Sequence, residues 1–598
     1  MREPYKGSYR KIVFAFDVGT TQTGISYCVL EPGEIPQNRS MHKFPGQELV
    51  NGCYKIPTVM YYDAEGKMVS AGAETLADEV EKKAEEEGWI KVEWFKLRLR
   101  PKDLPFTFNN ADLGPLPPGK TVDNIYTDFY GYLLKCCKSF IKEVHPTYSW
   151  GNLMNSAEFL ICHPNGWKGS QQNRMRQAAI KASLAPNTNE GRNRIRFVTE
   201  GEASLHYCIE EHHLDDKDEG LIVADLGGGT LDFSAYNIVS RSSAVFHESA
   251  PAKCALEGSE IITKRARQYL TDKLKGSKYG TKDDIDEMVK AFDQRNKRVF
   301  RSVTETVYIP FGRVSVKDPE FGILGGKMKL AGDELAKFYE PSLKAAVDHI
   351  TQCILASPVK VSTVYVVGGL SGSLYFMSEL SRRISEADIK IRVPSDSNVK
   401  AAALGALSFY FDHHVEARVA KYAYGITTAD FYNANDPEHI QRLENCYTPQ
   451  SGQKLISGGF TTILRKSTVV RESTRFTKSL FKEIDEDQYA SSNFAYSDET
   501  CILAYSGPRE AINWLDEIEH KHELHVACTI KTNLSSLRSI AAKRKGFNGR
   551  MYRRIDFSVV LWFGGPELKA QLHWTEFGVE KWGPVSIIYD DDCVSEES

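Results

Sequence analysis

The run Leu221-Ile222-Val223-Ala224-Asp225-Leu226-Gly227-Gly228-Gly229-Thr230-Leu231-Asp232 has an earlier counterpart, Val13-Phe14-Ala15-Phe16-Asp17-Val18-Gly19-Thr20-Thr21. In each, apolar strand residues deliver an aspartate to a tight turn, and glycines and hydroxyls follow before the chain becomes apolar again. Glycine permits positive φ and brings backbone N–H groups close to a polyphosphate with no Cβ in the way. An aspartate at a strand end suits Mg2+, held mostly through water because that ion keeps part of its hydration shell. One such turn would be an ordinary β-hairpin. Two of them, 208 residues apart, predict duplicated half-sites that close on one nucleotide.

At 598 residues the chain exceeds what a single core supports, and roughly two to four domains are expected. Composition is globular, with 41% hydrophobic and 26% charged residues, and the net charge of −4 gives no general attraction to nucleic acid or an anionic membrane. The polar start reaches a strand by Ile12 and leaves no room for a signal peptide, and no apolar stretch has transmembrane length. These features predict a cytoplasmic protein without membrane insertion. The 12 cysteines are scattered with no Cys-x-x-Cys pair and read as buried, reduced thiols. The sequons at Asn38 and Asn533 read as chance matches. The histidines, including His163, His206 and the pairs 212–213 and 413–414, read as packed or exposed rather than metal-ligating.

From about residue 10 to 415, strand-like pieces (12–17, 24–30, 157–162, 221–225, 231–238, 363–367) alternate with helical ones (73–87, 123–143, 171–184, 257–274, 283–301, 331–355, 373–386), which argues for α/β layers. The texture changes near 418. Ile555, Phe557, Val559, Leu561 and Phe563 repeat every second residue, and after Gly564-Gly565-Pro566 so do Leu568, Ala570, Leu572 and Trp574. That pattern predicts an antiparallel hairpin with one buried face. The expected division is an α/β domain over 10–416 and a mostly β domain over 417–598 with one helical insertion at 509–521. Asp215 to Glu219 reads as a solvated tip. Lys543-Arg544-Lys545 through Arg554 reads as a solvated basic loop before a strand.

The two turns, with a third motif at Val364-Tyr365-Val366-Val367-Gly368-Gly369-Leu370-Ser371, resemble the actin-like ATPase superfamily, and most closely its heat-shock protein 70 branch. Other segments agree in order: Pro57-Thr58-Val59, Trp94-Phe95-Lys96-Leu97, Ile161-Cys162-His163-Pro164, Thr199-Glu200-Gly201-Glu202-Ala203, Gly258-Ser259-Glu260, Phe292 to Arg298, and a second connecting helix at 398–406. The whole length resembles the divergent fungal type with a reduced C-terminal β domain. The resemblance implies a two-lobed, ribonuclease H-like α/β domain that binds ATP or ADP with Mg2+. Departures accompany it. Ser408 to His414 stands where the chaperones carry a short acidic-aliphatic linker, no helical lid follows the β domain, and the acid before Lys297 is one residue out of register.

The resemblance also implies roles. Asp17 and Asp225 would hold Mg2+ from opposite lobes. Gly19, Thr20 and Thr21 on one side, and Gly227, Gly228, Gly229 and Thr230 on the other, would cradle the phosphates. Lys96 would stabilise charge on the transferring group, and Glu200 would orient water or the metal. Gly368, Gly369, Lys297 and Arg298 would meet the adenosine. The expected function is slow, Mg-dependent ATP hydrolysis coupled to binding of a client protein. A nucleotide-binding scaffold without hydrolysis and a metabolite kinase are the rivals, since a fold does not fix a function.

Overall fold

The computed structural model describes residues 2–50, 54–108, 110–210, 214, 218–385, 389–394, 400–486, 497–533, 541–563, 567–583 and 586–588. His212–His213, Asp215–Lys217, Asn398, the turn at 564–566, most of the second sequon and the acidic end of the chain lie outside them. The chain is mixed α/β with several sheets. Its described residues separate into two compact units, one within 2–415 and one within 416–588.

In the first unit, β1 (Lys11–Val18) and β2 (Gln22–Leu30) form the first hairpin. The other face of β2 takes Arg39–Ser40 and β3 (Lys55–Pro57). Beside β1 run two parallel strands, β4 (Glu158–His163) and β5 (Ile195–Thr199). A second sheet repeats the plan. Its hairpin is β6 (Gly220–Leu226) with β7 (Leu231–Ser240), followed on the β7 side by antiparallel β8 (Val245–Ala255). Parallel β9 (Val361–Val367) and β10 (Lys390–Arg392) lie beside β6. Parallel neighbours need crossovers, and helices supply them. The helix α1 (Val122–Val144) leads to β4, and the long helix Gly332–Ala356 leads to β9.

Local sequence explains α1. Thr121 accepts from Asn124 N at its start while the Asn124 side chain returns a bond to Thr121 N, a capping box that satisfies orphan N–H groups. Ile125, Phe129, Leu133, Cys136 and Phe140 then recur at helical spacing and are buried against the first sheet. Each sheet is hydrophobic on both faces, so each needs a second cover. It comes from α2 (Glu200–Glu210) and α3 (Ala401–Asp412), which close two further clusters. Their crossing is tight: a Cβ on Gly405 would stand 1.8 Å from Ala203 O.

The structure extends α3 through Ser408 to Asp412, so most of the segment 408–414 is helical, and the helix ends in left-handed His413. Ser408 and Asn38 bond Glu210 and each other, and Arg2 holds Asp412 at 2.7 Å, which anchors this last turn. Asp218 also departs from its expected place in a solvated tip. It is buried and accepts from Thr363 (2.7 Å), Ser362 (2.5 Å) and Tyr365 (3.0 Å).

The second unit consists of two antiparallel sheets with a shared core of Tyr424, Ile502 and Cys528 from one and Val559, Leu561 and Leu572 from the other. The expected hairpin pairs Met551–Phe563 with Leu568–Glu576. The expected helix at 509–521 is absent. Ile512 and Trp514, two residues apart, are both buried, a spacing that fits extended chain, and only the short turns Leu515–Glu517 and Lys521–Glu523 wind. The basic stretch is no loop either. Lys543–Lys545 pairs with Met551–Arg553, and Glu486 draws in both Lys543 and Arg553. Every described cysteine is a free thiol, and all but Cys446 and Cys501 are buried.

Candidate functional site

The two hairpin turns are built alike. Gly19 N donates to Gln22 O at 3.1 Å, and Gly227 N donates to Thr230 O at 3.0 Å. In both, the aspartate lies two residues before that glycine and is the next-to-last residue of the strand. The turns approach each other so closely that a Cβ on Gly228 would stand 2.6 Å from Thr21 Oγ1, and one on Gly229 2.2 Å from Thr20 Oγ1. Glycine is needed there for approach rather than for φ. Behind the second turn the helix Ser259–Lys273 begins, and its first N–H groups are already used: Ser259 N and Glu260 N donate to Gly227 O and Gly228 O. At Gly368, φ is +88°, and a Cβ would fall 2.6 Å from Asp225 Oδ1.

Around these turns lies a cleft of about 1110 Å3. The structure brings to it every residue singled out above: Asp17, Gly19, Thr20, Thr21, Lys96, Glu200, Asp225, Gly227, Gly228, Gly229, Thr230, Lys297, Arg298, Gly368 and Gly369. Lys96 is delivered by a single helical turn, Phe95–Arg98, whose preceding Trp94 sits at φ +53°. Phe95 anchors that turn against Tyr126 and Phe129. Lys96 is not a solvated lysine: it is buried and ion-paired with Glu200, the first residue of α2.

Several residues in the cleft or directly behind its lining carry no clear mark in the sequence. Lys55 donates to Asp17 Oδ2 at 2.6 Å. Ser204 donates to Asp225 Oδ2 at 3.1 Å. Asp232, directly paired with Asp225 across β6 and β7, is fully buried and accepts Asn165 N at 2.6 Å. The spacing Glu200-x-x-x-Ser204 on α2 and the second aspartate of the glycine run were the only available signals.

Four buried carboxylates (Asp17, Glu200, Asp225, Asp232) thus share a floor with two lysines, Lys55 and Lys96. Burial, then the charges of Glu200 and Asp17, push the Asp225 carboxyl up to about 7. Burial and then the Glu200 charge also raise Asp232. Burial raises Glu200 against the opposing pull of Lys96. Burial would strip Lys96 of its proton, but Glu200 and Asp17 hold it above the ordinary lysine range. The floor is short of positive charge, as a cation-accepting site should be.

Among the described residues no group of three or more His, Cys, Asp or Glu could hold a metal by itself. Asp17 and Asp225 nevertheless fit Mg2+, which takes one or two carboxylates and completes its shell with water and phosphate oxygens. The turns fit phosphate, since both line the cleft with glycine backbone and with the hydroxyls of Thr20, Thr21 and Thr230.

On the other wall, Lys297 donates to Thr263 Oγ1 at 2.8 Å and ion-pairs with Asp293. Asp293 and Lys297 are four residues apart, a spacing at which side chains on a helix meet, and a π-helical turn spans Phe292–Asn296. Arg298 stays exposed at the cleft.

No protein-family model and no curated protein matches this chain. Among the described residues no helix is long and apolar enough to cross a membrane.

Proposed function

We propose that the chain is a divergent member of the heat-shock-70 branch of the actin-like ATPase superfamily, of the fungal type with a reduced C-terminal β domain. In this reading the two sheets of the first unit are the two lobes of a ribonuclease H-like domain, which binds Mg·ATP and hydrolyses it slowly, and the β unit takes a client protein. The observation that carries it is the repeated hairpin. Two aspartate–glycine turns with the same internal hydrogen bond, from two sheets of the same topology, converge on one cleft of nucleotide size.

Phosphoryl transfer to water asks a protein for positioning and charge compensation rather than covalent chemistry. Asp17 and Asp225 would hold Mg2+, which when bound compensates phosphate charge. The N–H groups and hydroxyls of Thr20 and Thr21, the N–H groups of Gly228 and Gly229, and Thr230 would orient the phosphates, while Gly19 N and Gly227 N hold the turns themselves. Lys96 would face the developing charge, with Glu200 keeping it in place and accepting a hydrogen bond from the attacking water.

Single-turnover hydrolysis of γ-labelled ATP, with Mg2+ and no acceptor, tests this. Slow phosphate release that disappears in Asp225→Ala is expected. Tight binding without release would replace the ATPase with a scaffold, and ATP consumption only in the presence of a small acceptor would favour the kinase.

A further inference from the structure

Asp17, Gly24 and Lys55 stand in one cross-strand row: Asp17 on β1 pairs with Gly24 on β2, and Gly24 pairs with Lys55 on β3. Directly paired residues project from the same face of a sheet. The outer two are separated by two strand spacings, about 10 Å, so their side chains can meet only over a gap in the middle. Gly24 is that gap. A Cβ there would lie 3.2 Å from both Cγ and Cε of Lys55, which shows the lysine stem lying along the glycine backbone. The ammonium reaches Asp17 Oδ2 at 2.6 Å, with the Lys55 side chain 14% exposed and that of Asp17 6%. The matching row of the second sheet is Asp225, Asp232 and Cys254, with a second acid where the first has its gap and a thiol where the first has its cation. Burial works against the Lys55 charge, yet Asp17, Asp225 and Glu200 together outweigh it.

We propose that Lys55 is a resident cation of the cleft: laid across Gly24, it neutralises Asp17 and takes over part of the charge compensation a divalent ion would supply, so that nucleotide binding depends only weakly on Mg2+. The inference rests on the nucleotide reading of the cleft. Without Lys55, Lys96 would be the one lysine described among the floor carboxylates, and an ion would have to accompany an incoming polyphosphate there. With Lys55, the ion meets an aspartate already paired.

The test uses the full chain and two readouts. A fluorescent ATP analogue is titrated in Mg2+ and in EDTA, and Mn2+ binding without nucleotide is followed by electron paramagnetic resonance. For the native chain the EDTA and Mg2+ dissociation constants should agree within about tenfold, while for Lys55→Met their ratio should reach about a hundredfold. Lys55→Met should also gain a Mn2+ site that the native chain lacks, and Lys55→Arg should behave as native. Should Lys55→Met fail to fold, Gly24→Ala obstructs the stem while keeping both charges and should move both readouts in the same direction. Equal EDTA sensitivity in the native and Met chains, or equal Mn2+ binding, would overturn the role of Lys55. Absence of nucleotide binding by the folded native chain under either condition would instead remove the nucleotide reading, and the Mn2+ comparison would then decide the ion pair alone.

Discussion

Lys96 and Glu200 are buried in a place that neither could occupy alone. Removing one partner of a buried pair leaves an uncompensated charge and costs about 3–5 kcal/mol. Lys96→Met should therefore lower the urea midpoint strongly, and adding Glu200→Gln should restore most of it. The same contact bears on rate: Lys96→Ala is expected to slow single-turnover hydrolysis by about 100- to 1000-fold, the scale of losing one charge-stabilising donor. Asp232 bears on pH. Its folded pKa lies above the unfolded one, because burial and then Glu200 disfavour the anion. Such a group stabilises the fold below the ordinary aspartate range, and that contribution is lost as pH rises through the raised value. Asp232→Asn should then change the melting temperature more favourably at pH 8 than at pH 5, and an equal change at both would count against a raised pKa. The sequence displays Asp17 and Asp225 because each ends an apolar run before glycine. It hides Lys55, whose meeting with Asp17 depends on the register of three strands. Asp232 is hidden for a related reason: in Leu231-Asp232-Phe233-Ser234-Ala235 it alternates with apolar residues as a solvent-facing position would, yet β7 is buried on both faces there.

At the scale of elements, α2 and α3 cross at Gly405, where the backbones nearly touch. Gly405→Ala has to push them apart, and overpacking of this kind costs about 1–3 kcal/mol; thermal melting of the variant measures it. Most strands and helices of the first unit were legible, because the change between two-residue and helical spacing is sharp in runs such as 221–225 and 123–143. The misread elements share a cause. At 509–521 the polar residues resemble a helix surface, but Ile512 and Trp514 are placed by burial against neighbouring strands. In 543–554 the charges suggested a solvated loop; Lys543–Lys545 are indeed exposed, but on a strand paired with Met551–Arg553, with Glu486 taking Lys543 and Arg553 and Asp556 taking Arg554. Tertiary partners of this sort leave no periodic trace.

For the whole molecule, separate cores within 2–415 and 416–588 mean that unfolding need not be a single step. Calorimetry should give a measured enthalpy larger than the van't Hoff value. A ligand that binds only the native first unit stabilises it by about 2.7 kcal/mol at a hundred times its dissociation constant. Mg·ATP should thus raise one transition and leave the other in place. A single peak that moves as a whole would contradict both the division and the location of the site.

The buried thiols give the molecule a set of internal clocks. Cys136 and Cys137 lie in the core beneath the first sheet, Cys28 and Cys162 on its opposite face, Cys353 under the second sheet, Cys208 on α2 and Cys528 in the β unit. Burial pushes the Cys28 and Cys353 thiols up to about 11 and those of Cys136 and Cys208 up to about 12, so none offers a reactive thiolate while its core is shut. The time each takes to react with an alkylating reagent is the time its own layer takes to open. Reading masses peptide by peptide would rank the layers by local opening free energy, with no label introduced and no residue changed.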